Sequence, residues 1–164
     1  MIIYSHSITN RLKYMASFLG RQLTGGPLDV TDNVTHYIDY PGPRINYSNG
    51  PLSQQEIWIR PQGLLHESGI RQQPIECFEC NGHIAFFRTE GDFTFDVLAA
   101  SFFLLSRYEE YLPHKKDIYG RYANENAMSF RQGFLKIPLI NKWLKDIGKL
   151  LQYTFQTCTI RLTQ

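Results

Sequence analysis

The sequence lacks the features that mark several large classes of protein. It has 3 cysteines among 164 residues, an odd and small number that disfavours a disulfide framework and fits a reducing compartment. Its longest apolar stretch, 93–105, contains Asp96 and is shorter than the ~20 residues that cross a bilayer. The amino terminus shows no basic segment followed by an apolar core. These absences predict a cytoplasmic protein with no membrane partner.

Glycine-rich nucleotide-binding motifs and an excess of basic charge are missing as well. The dinucleotide, P-loop and nucleophile-elbow patterns GxGxxG, GxxxxGK[ST] and GxSxG do not occur. The 17 Lys and Arg residues are nearly balanced by 15 Asp and Glu, which leaves a formal net charge of +2. Since binding to nucleic-acid phosphates takes clustered basic side chains, we expect no nucleic-acid partner.

What the sequence does contain is the alternation of short strands and helices that is typical of an α/β domain. A short strand pattern at 2–4 is followed by a helical pattern that Thr9 or Asn10 can cap, and then by a second short strand at 28–30. Strand, helix and strand in this order form a parallel crossover unit. Because no linker or repeat divides the chain, we expect residues 1–164 to form a single domain.

The middle of the chain predicts antiparallel strands. Residues 44–47 alternate polar and apolar side chains, 56–60 read as a further strand, and Asn81-Gly82 is the commonest two-residue hairpin sequence. This part completes the prediction of a mixed sheet, with strand–helix–strand at the amino end and helices at the carboxyl end.

The second half predicts two long helices and a final strand. A helix that is apolar on almost every side is expected from Thr94 or Asp92 to about Tyr111, which indicates burial between layers. An amphipathic helix is expected at 137–155, and 158–162 reads as a strand. Together with the first helix, these make three main helices.

The segment between the two long helices, 106–122, is dense in charged and aromatic residues. If the helix continues through Tyr111, Arg107 and Tyr111 share one face. An arginine pairs through two hydrogen bonds with a carboxylate or phosphate, and a tyrosine can stack on a sugar or a partner. The candidate binding or domain-contact residues are Arg107, Tyr108, Glu109, Glu110, His114, Asp117, Arg121 and Tyr122. The alternative interpretation is an ion-pair network that fixes the loop after the helix.

Two cysteines and three carboxylates elsewhere in the chain also have possible functional interpretations. Cys77 and Cys80 form a single CxxC, whereas a structural zinc needs four ligands, so we interpret them as buried structural thiols. Asp29, Asp32 and Glu56 suggest the alternative function, a small metal-dependent hydrolase or nuclease-like enzyme. Two of these carboxylates lie near the end of a strand, where α/β folds place ligands.

His6 follows the first predicted strand directly. A histidine in this position could act as a base or a ligand. An incidental histidine is the commoner case.

The run DVLAASFFLLSRYEEY at 96–111, with DIYGRY at 117–122, resembles the uncharacterised domain that precedes a polysaccharide deacetylase (NodB-like) domain in many bacterial proteins. PLINKWL at 138–144 fits the same pattern. The likeness is concentrated in 92–144.

This resemblance implies a non-catalytic accessory domain that aids glycan binding or packs on a deacetylase domain carboxyl-terminal to it in the same polypeptide. The divalent metal would belong to that catalytic domain, so the resemblance implies no cofactor, no metal ligand and no catalytic residue in this chain. Thr94-Phe95-Asp96 matches the first deacetylase motif only superficially, because Val97 stands where the second aspartate would be.

Overall fold

The structure, a computed structural model, describes residues 1–156 and centres on a sheet of four parallel strands. The strands are β1 (Ile2–Tyr4), β2 (Asp29–Thr31), β3 (Arg44–Tyr47) and β4 (Ile57–Ile59), and their order across the sheet is β2-β1-β3-β4. The predicted α/β class is confirmed.

A helix of fourteen residues, α1 (Asn10–Leu23), connects β1 to β2. The Thr9 hydroxyl oxygen caps it by accepting a 3.1 Å hydrogen bond from the Leu12 amide, so Thr9 rather than Asn10 is the cap. Its apolar stripe is buried against the sheet. Gly20 allows the close approach of the loop before β2, because a Cβ at this position would lie 2.3 Å from the Gly26 carbonyl oxygen.

The predicted antiparallel pairing of residues 44–47 and 56–60 is wrong. The five-residue helix α2 (Val34–Ile38) carries the chain from β2 across to the other side of β1, so β3 joins the sheet parallel to β1, with Ile45 opposite Ile3. β4 then continues the parallel sheet with Ile57 opposite Ile45. The connections from β1 and β3 therefore leave in opposite directions. At such a switch point, parallel α/β sheets commonly leave a crevice between the carboxyl ends of the two strands.

Antiparallel pairing does occur in the hairpin of β5 (Phe78–Cys80) and β6 (His83–Ala85). Asn81 and Gly82 connect the two strands with positive φ angles of 52° and 74°. A two-residue turn of this type needs positive φ at both positions, which explains why Asn-Gly predicts it correctly.

The apolar helix is shorter than the sequence predicts. α3 (Val97–Leu105) begins after Asp96, whose carboxylate accepts a 2.9 Å hydrogen bond from the Ala99 amide, and neither Asp92 nor Thr94 caps it. Arg107 adopts a left-handed conformation with φ of 51°, which ends the helix before a separate 3-10 turn at Tyr108–Tyr111. Arg107 and Tyr111 therefore do not share a helical face.

The last described helices complete the core. The short helix α4 (Met128–Arg131) precedes α5 (Leu139–Phe155), which lies where the amphipathic pattern predicts it. Trp143 of α5 packs edge-on against Phe95 and Phe86, with ring centroids 5.4 and 5.9 Å away. One hydrophobic cluster runs from Ile3 to Leu151. The predicted strand at 158–162 lies outside the described residues.

None of the helices within residues 1–156 combines the length and the apolar character needed to cross a membrane.

Candidate functional site

Most of the predicted site residues line three adjoining surface cavities, which we call the polar groove. The first cavity measures about 550 Å³ and is lined by Arg107, Glu110, Asp117, Arg121 and Tyr122, with Ala123, Asn124 and Glu125. The second, about 350 Å³, shares Tyr122 and Glu125 with the first and adds Glu109 and His114. The third, about 320 Å³, shares Gln72, Glu109, Leu112 and Arg131 with the second and extends to Cys77.

Two exposed ion pairs hold the mouth of the first cavity. Arg107 pairs with Glu110, and Arg121 pairs with Asp117 at 2.9 Å. The carboxylate of Asp117 also accepts hydrogen bonds from the backbone amides of Tyr119 and Arg121 at 2.8 and 2.9 Å. These contacts, led by the Arg121 amide, lower the pKa of the Asp117 carboxyl. Residues 107–121 therefore contain local ion pairs of the kind expected in the alternative interpretation, an ion-pair network that fixes the loop after the helix.

Glu109 connects the 3-10 turn to α4. Its two carboxylate oxygens accept hydrogen bonds of 2.9 and 3.1 Å from the Met128 amide, at the start of α4. The guanidinium of Arg131 lies 3.7 Å from the same carboxylate. Partial burial raises the pKa of Glu109. Glu109 thus forms part of the floor shared by the second and third cavities.

Tyr108 does not belong to the groove surface. Its side chain is buried, its ring stacks on Phe103 with centroids 5.3 Å apart, and its hydroxyl bonds the backbone amide and carbonyl of Arg71. A residue held in this way supports the groove from below and cannot stack on a ligand. The segment 106–122 cannot reveal this, because the partner backbone is distant in sequence.

His114 and Tyr122 form a pair in the second cavity. Their rings meet edge to face at 4.9 Å, and Nδ1 of His114 lies 2.8 Å from the Leu112 carbonyl oxygen. The hydroxyl of Tyr122 is buried and has no hydrogen-bond partner among the described residues. Burial raises the pKa of this hydroxyl. The Tyr122 hydroxyl is therefore an unsatisfied polar group in a residue that lines two of the cavities.

The sequence pattern does not mark the exposed tip of the loop at 117–121. Ile118 is 91% exposed and Tyr119 is 73% exposed, and both lie between groove residues Asp117 and Arg121. The Arg121 guanidinium sits 4.8 Å from the centre of the Tyr119 ring, over its face. These two side chains form a small exposed apolar patch next to residues that line the first cavity.

The three carboxylates of the enzyme hypothesis do not converge. Asp29 begins β2 and Asp32 follows its other end, while Glu56 precedes β4. The buried carboxylate of Glu56 accepts hydrogen bonds from the Tyr37 hydroxyl at 2.8 Å and the Asn46 side-chain amide at 3.0 Å. Within residues 1–156, no group of three or more His, Cys, Asp and Glu side chains is arranged to hold a metal ion. The described residues therefore do not bring these three carboxylates together into a metal site.

The two described cysteines are free thiols with separate neighbours. The Cys77 sulfur lies 3.6 Å from the Met128 sulfur, and the Cys80 sulfur lies 3.4 Å from the Thr94 hydroxyl. Both side chains are half-buried, which is less than the buried state expected from the sequence. Burial raises the pKa of the Cys77 thiol, so it stays protonated at neutral pH.

The parallel sheet gives the chain an α/β fold, and the polar groove lies beside its helical half. The chain belongs to a family of unknown function, DUF7033, which matches it over residues 1–156. Neither the curated proteins nor the solved structures contain a match to this chain.

Proposed function

We propose that this chain is a non-catalytic accessory domain of a polysaccharide-deacetylase-like protein and that its polar groove binds glycan. The observation that carries the proposal is the exposed Tyr119 ring, which contacts Arg121 in the lining of a polar cavity of about 550 Å³. A sugar offers an apolar ring face for stacking on an aromatic side chain, and hydroxyls that both donate and accept hydrogen bonds. The resemblance of residues 92–144 to domains that precede deacetylases gives the proposal its context.

The charges of the groove favour an uncharged ligand. Four basic side chains face four acidic ones across the three cavities, so their formal charges cancel. The basic residues are Arg107, Lys115, Arg121 and Arg131, and the acidic residues are Glu109, Glu110, Asp117 and Glu125. A net-neutral groove with amide side chains suits a neutral sugar chain better than a phosphate-rich ligand.

The ion pairs at the mouth can yield to a ligand at little cost. The side chains of Arg107 and Arg121 are 73% and 71% exposed, and those of their partners Glu110 and Asp117 are 30% and 27% exposed. Pairs this exposed are worth about 0–1 kcal/mol. A sugar hydroxyl that binds the carboxylate or the guanidinium can therefore replace part of a pair without a large loss of stability.

Calorimetric titration with neutral oligosaccharides tests the proposal. Tyr119→Ala and Arg121→Ala should each weaken binding by about tenfold, since each removes a contact worth on the order of 1.4 kcal/mol. Arg60→Ala is the matched control, because Arg60 is also an exposed arginine in an ion pair but does not line the groove. No saturable binding, or equal losses in all three variants, would contradict the proposal.

Packing on a catalytic domain is a second use of the same surface, favoured by the exposure of Ile118. An apolar side chain at a loop tip gains more from a protein contact than from a sugar. In the parent polypeptide, Ile118→Ser should then increase proteolysis between the domains. Oligosaccharide affinity should stay unchanged in the same variant.

A further inference from the structure

A second group of polar side chains lies away from the polar groove, at the carboxyl edge of the sheet. Ser5 and His6 follow β1 directly, Tyr47 ends β3, and His66 ends a short 3-10 helix, Leu64–His66, that follows β4. The crevice between the carboxyl ends of β1 and β3 is the place where parallel α/β sheets commonly bind ligands. The proposed glycan function makes no use of these residues.

The contact between Ser5 and His66 fixes the state of the imidazole. The Ser5 Oγ atom lies 3.1 Å from Nε2 of His66 and 3.1 Å from the Ser7 carbonyl oxygen. A hydroxyl has one proton, and a carbonyl can only accept, so both bonds form together when Ser5 donates to Ser7. Nε2 of His66 then carries the proton and donates to Ser5. Nδ1 is left with its lone pair, and no described residue forms a hydrogen bond to it.

His6 supplies a second imidazole at the same place. Its ring meets the His66 ring edge to face, with centroids 4.9 Å apart, and its side chain is exposed. The two imidazoles therefore lie in contact at the carboxyl edge of the sheet.

The position of His66 is set by contacts on both sides. Thr9 donates a hydrogen bond to the Leu65 carbonyl oxygen, and Arg11 donates one to the Leu64 carbonyl oxygen at 2.8 Å. The ring of Tyr47 packs on His66 with centroids 5.4 Å apart. The 3-10 helix is thereby tied to α1 and to β3, so the imidazole is held in place before any ligand arrives.

The nearby carboxylates have other partners. Glu67, next to His66, lies 3.3 Å from Arg71 and accepts a 2.9 Å hydrogen bond from Gln73. Asp96 accepts the hydroxyl of Tyr47. Arg11 of α1 donates hydrogen bonds to the Leu64 and Gly69 carbonyl oxygens.

We propose that His6 and His66 form a two-histidine site for a divalent transition metal ion of the zinc, nickel and copper class, with Ser5 as the positioning residue behind His66. Imidazole nitrogen is a preferred ligand of these ions. A metal-binding histidine usually donates its second ring N–H to an acceptor, which is the role of the Ser5 hydroxyl oxygen here. Two protein ligands leave the other coordination positions to water or to a bound molecule.

The test is calorimetric titration of the whole chain with Ni²⁺, and with Mg²⁺ for comparison. We expect saturable Ni²⁺ binding and no Mg²⁺ binding, since Mg²⁺ prefers oxygen ligands. His66→Gln and His6→Gln should each weaken Ni²⁺ binding at least tenfold. Ser5→Ala should weaken it by ~10- to 100-fold, as loss of a residue behind a ligand does. His83→Gln is the matched control, because His83 lies in the separate hairpin and is also half-buried.

Two controls keep each outcome decisive. Cys77→Ser with Cys80→Ser should leave Ni²⁺ binding unchanged, and a loss of binding there would assign the ion to the thiols and overturn the proposal. Absence of Ni²⁺ binding, or full binding in His6→Gln, would overturn it as well. His6 is exposed, so its variant should fold even if His66→Gln does not. Oligosaccharide binding is measured separately, so failure at one site leaves the other standing.

Discussion

The hydroxyl of Tyr47 donates a 2.7 Å hydrogen bond to the Oδ2 atom of Asp96, and both side chains are fully buried. Asp96 also caps α3 and accepts a 2.8 Å hydrogen bond from the Gln62 amide. One carboxylate therefore joins the parallel sheet, the segment after β4 and the helical half of the fold. Burial, opposed by these hydrogen bonds, raises the pKa of Asp96 to about 6.

Asp96 should make stability fall as pH rises. Its pKa is about 6 in the folded chain and near 3.8 when unfolded, so between these values the folded state binds more protons. The difference corresponds to about 3 kcal/mol, lost between about pH 4 and pH 7. Urea unfolding gives the free energy of unfolding of Asp96→Asn and of the natural chain. As the pH rises from about 4 to about 7, the difference between them should shift in favour of the variant by about 3 kcal/mol. A pH-independent difference would contradict the burial of an ionised carboxylate.

Tyr47→Phe should destabilise the fold by about 1–3 kcal/mol, because it leaves the buried Asp96 carboxylate with one donor fewer. It should also raise the pKa of Asp96, since the Tyr47 hydrogen bond lowers it. Denaturant unfolding at pH 7 measures the first effect. Tyr153→Phe is the control, because the Tyr153 side chain is 84% exposed. The free energy of unfolding of this variant should equal that of the natural chain.

His66 should make stability fall as pH drops, which is the opposite pH dependence to that of Asp96. Burial lowers its pKa in the folded chain, so the unfolded state binds more protons and stability falls as pH drops below about 6.5. His66→Gln should remove this loss, and the stability difference from the natural chain should shift in the variant's favour as the pH falls. Urea unfolding between pH 7.5 and pH 5 measures it. A difference that shifts the other way would mean that a partner stabilises the charged ring.

Gly20→Ala should destabilise the fold by about 1–3 kcal/mol through overpacking. Its Cβ would meet the backbone of the loop before β2, at 2.3 Å from the Gly26 oxygen and 2.7 Å from the Leu28 nitrogen. Gly26→Ala provides the control, since a Cβ there has nothing within 4 Å. Thermal unfolding compares the two, and equal effects would show that α1 does not pack as closely as described.

Local signals in the sequence predicted several elements correctly. The Thr9 cap, the Asn81-Gly82 turn and the stripe of α5 each depend on residues within one element, so their patterns carry the information. The pairing of β3 and β4 does not depend on residues within one element. The alternation of side chains along a four-residue strand fits parallel and antiparallel partners equally. The left-handed Arg107 ends α3 without a glycine or proline to announce it.

The candidate site likewise combines residues that are close in sequence with residues from distant segments. Glu110, Asp117 and Arg121 were predictable because they lie together in sequence and share a loop. Gln72 and Arg131 complete the groove from distant segments, and no local pattern marks them. Ser5 and His66 are separated by 61 positions, so their contact depends on the strand order, which the sequence did not reveal.

Binding of neutral glycan in the polar groove is best tested by mapping backbone amide shifts with nuclear magnetic resonance. On titration with a neutral oligosaccharide, we expect saturable shifts confined to the groove and the adjoining Tyr119, strongest at Tyr119, Arg121 and Tyr122, and absent from His6 and His66. Shifts elsewhere on the surface, or none at millimolar oligosaccharide, would contradict it.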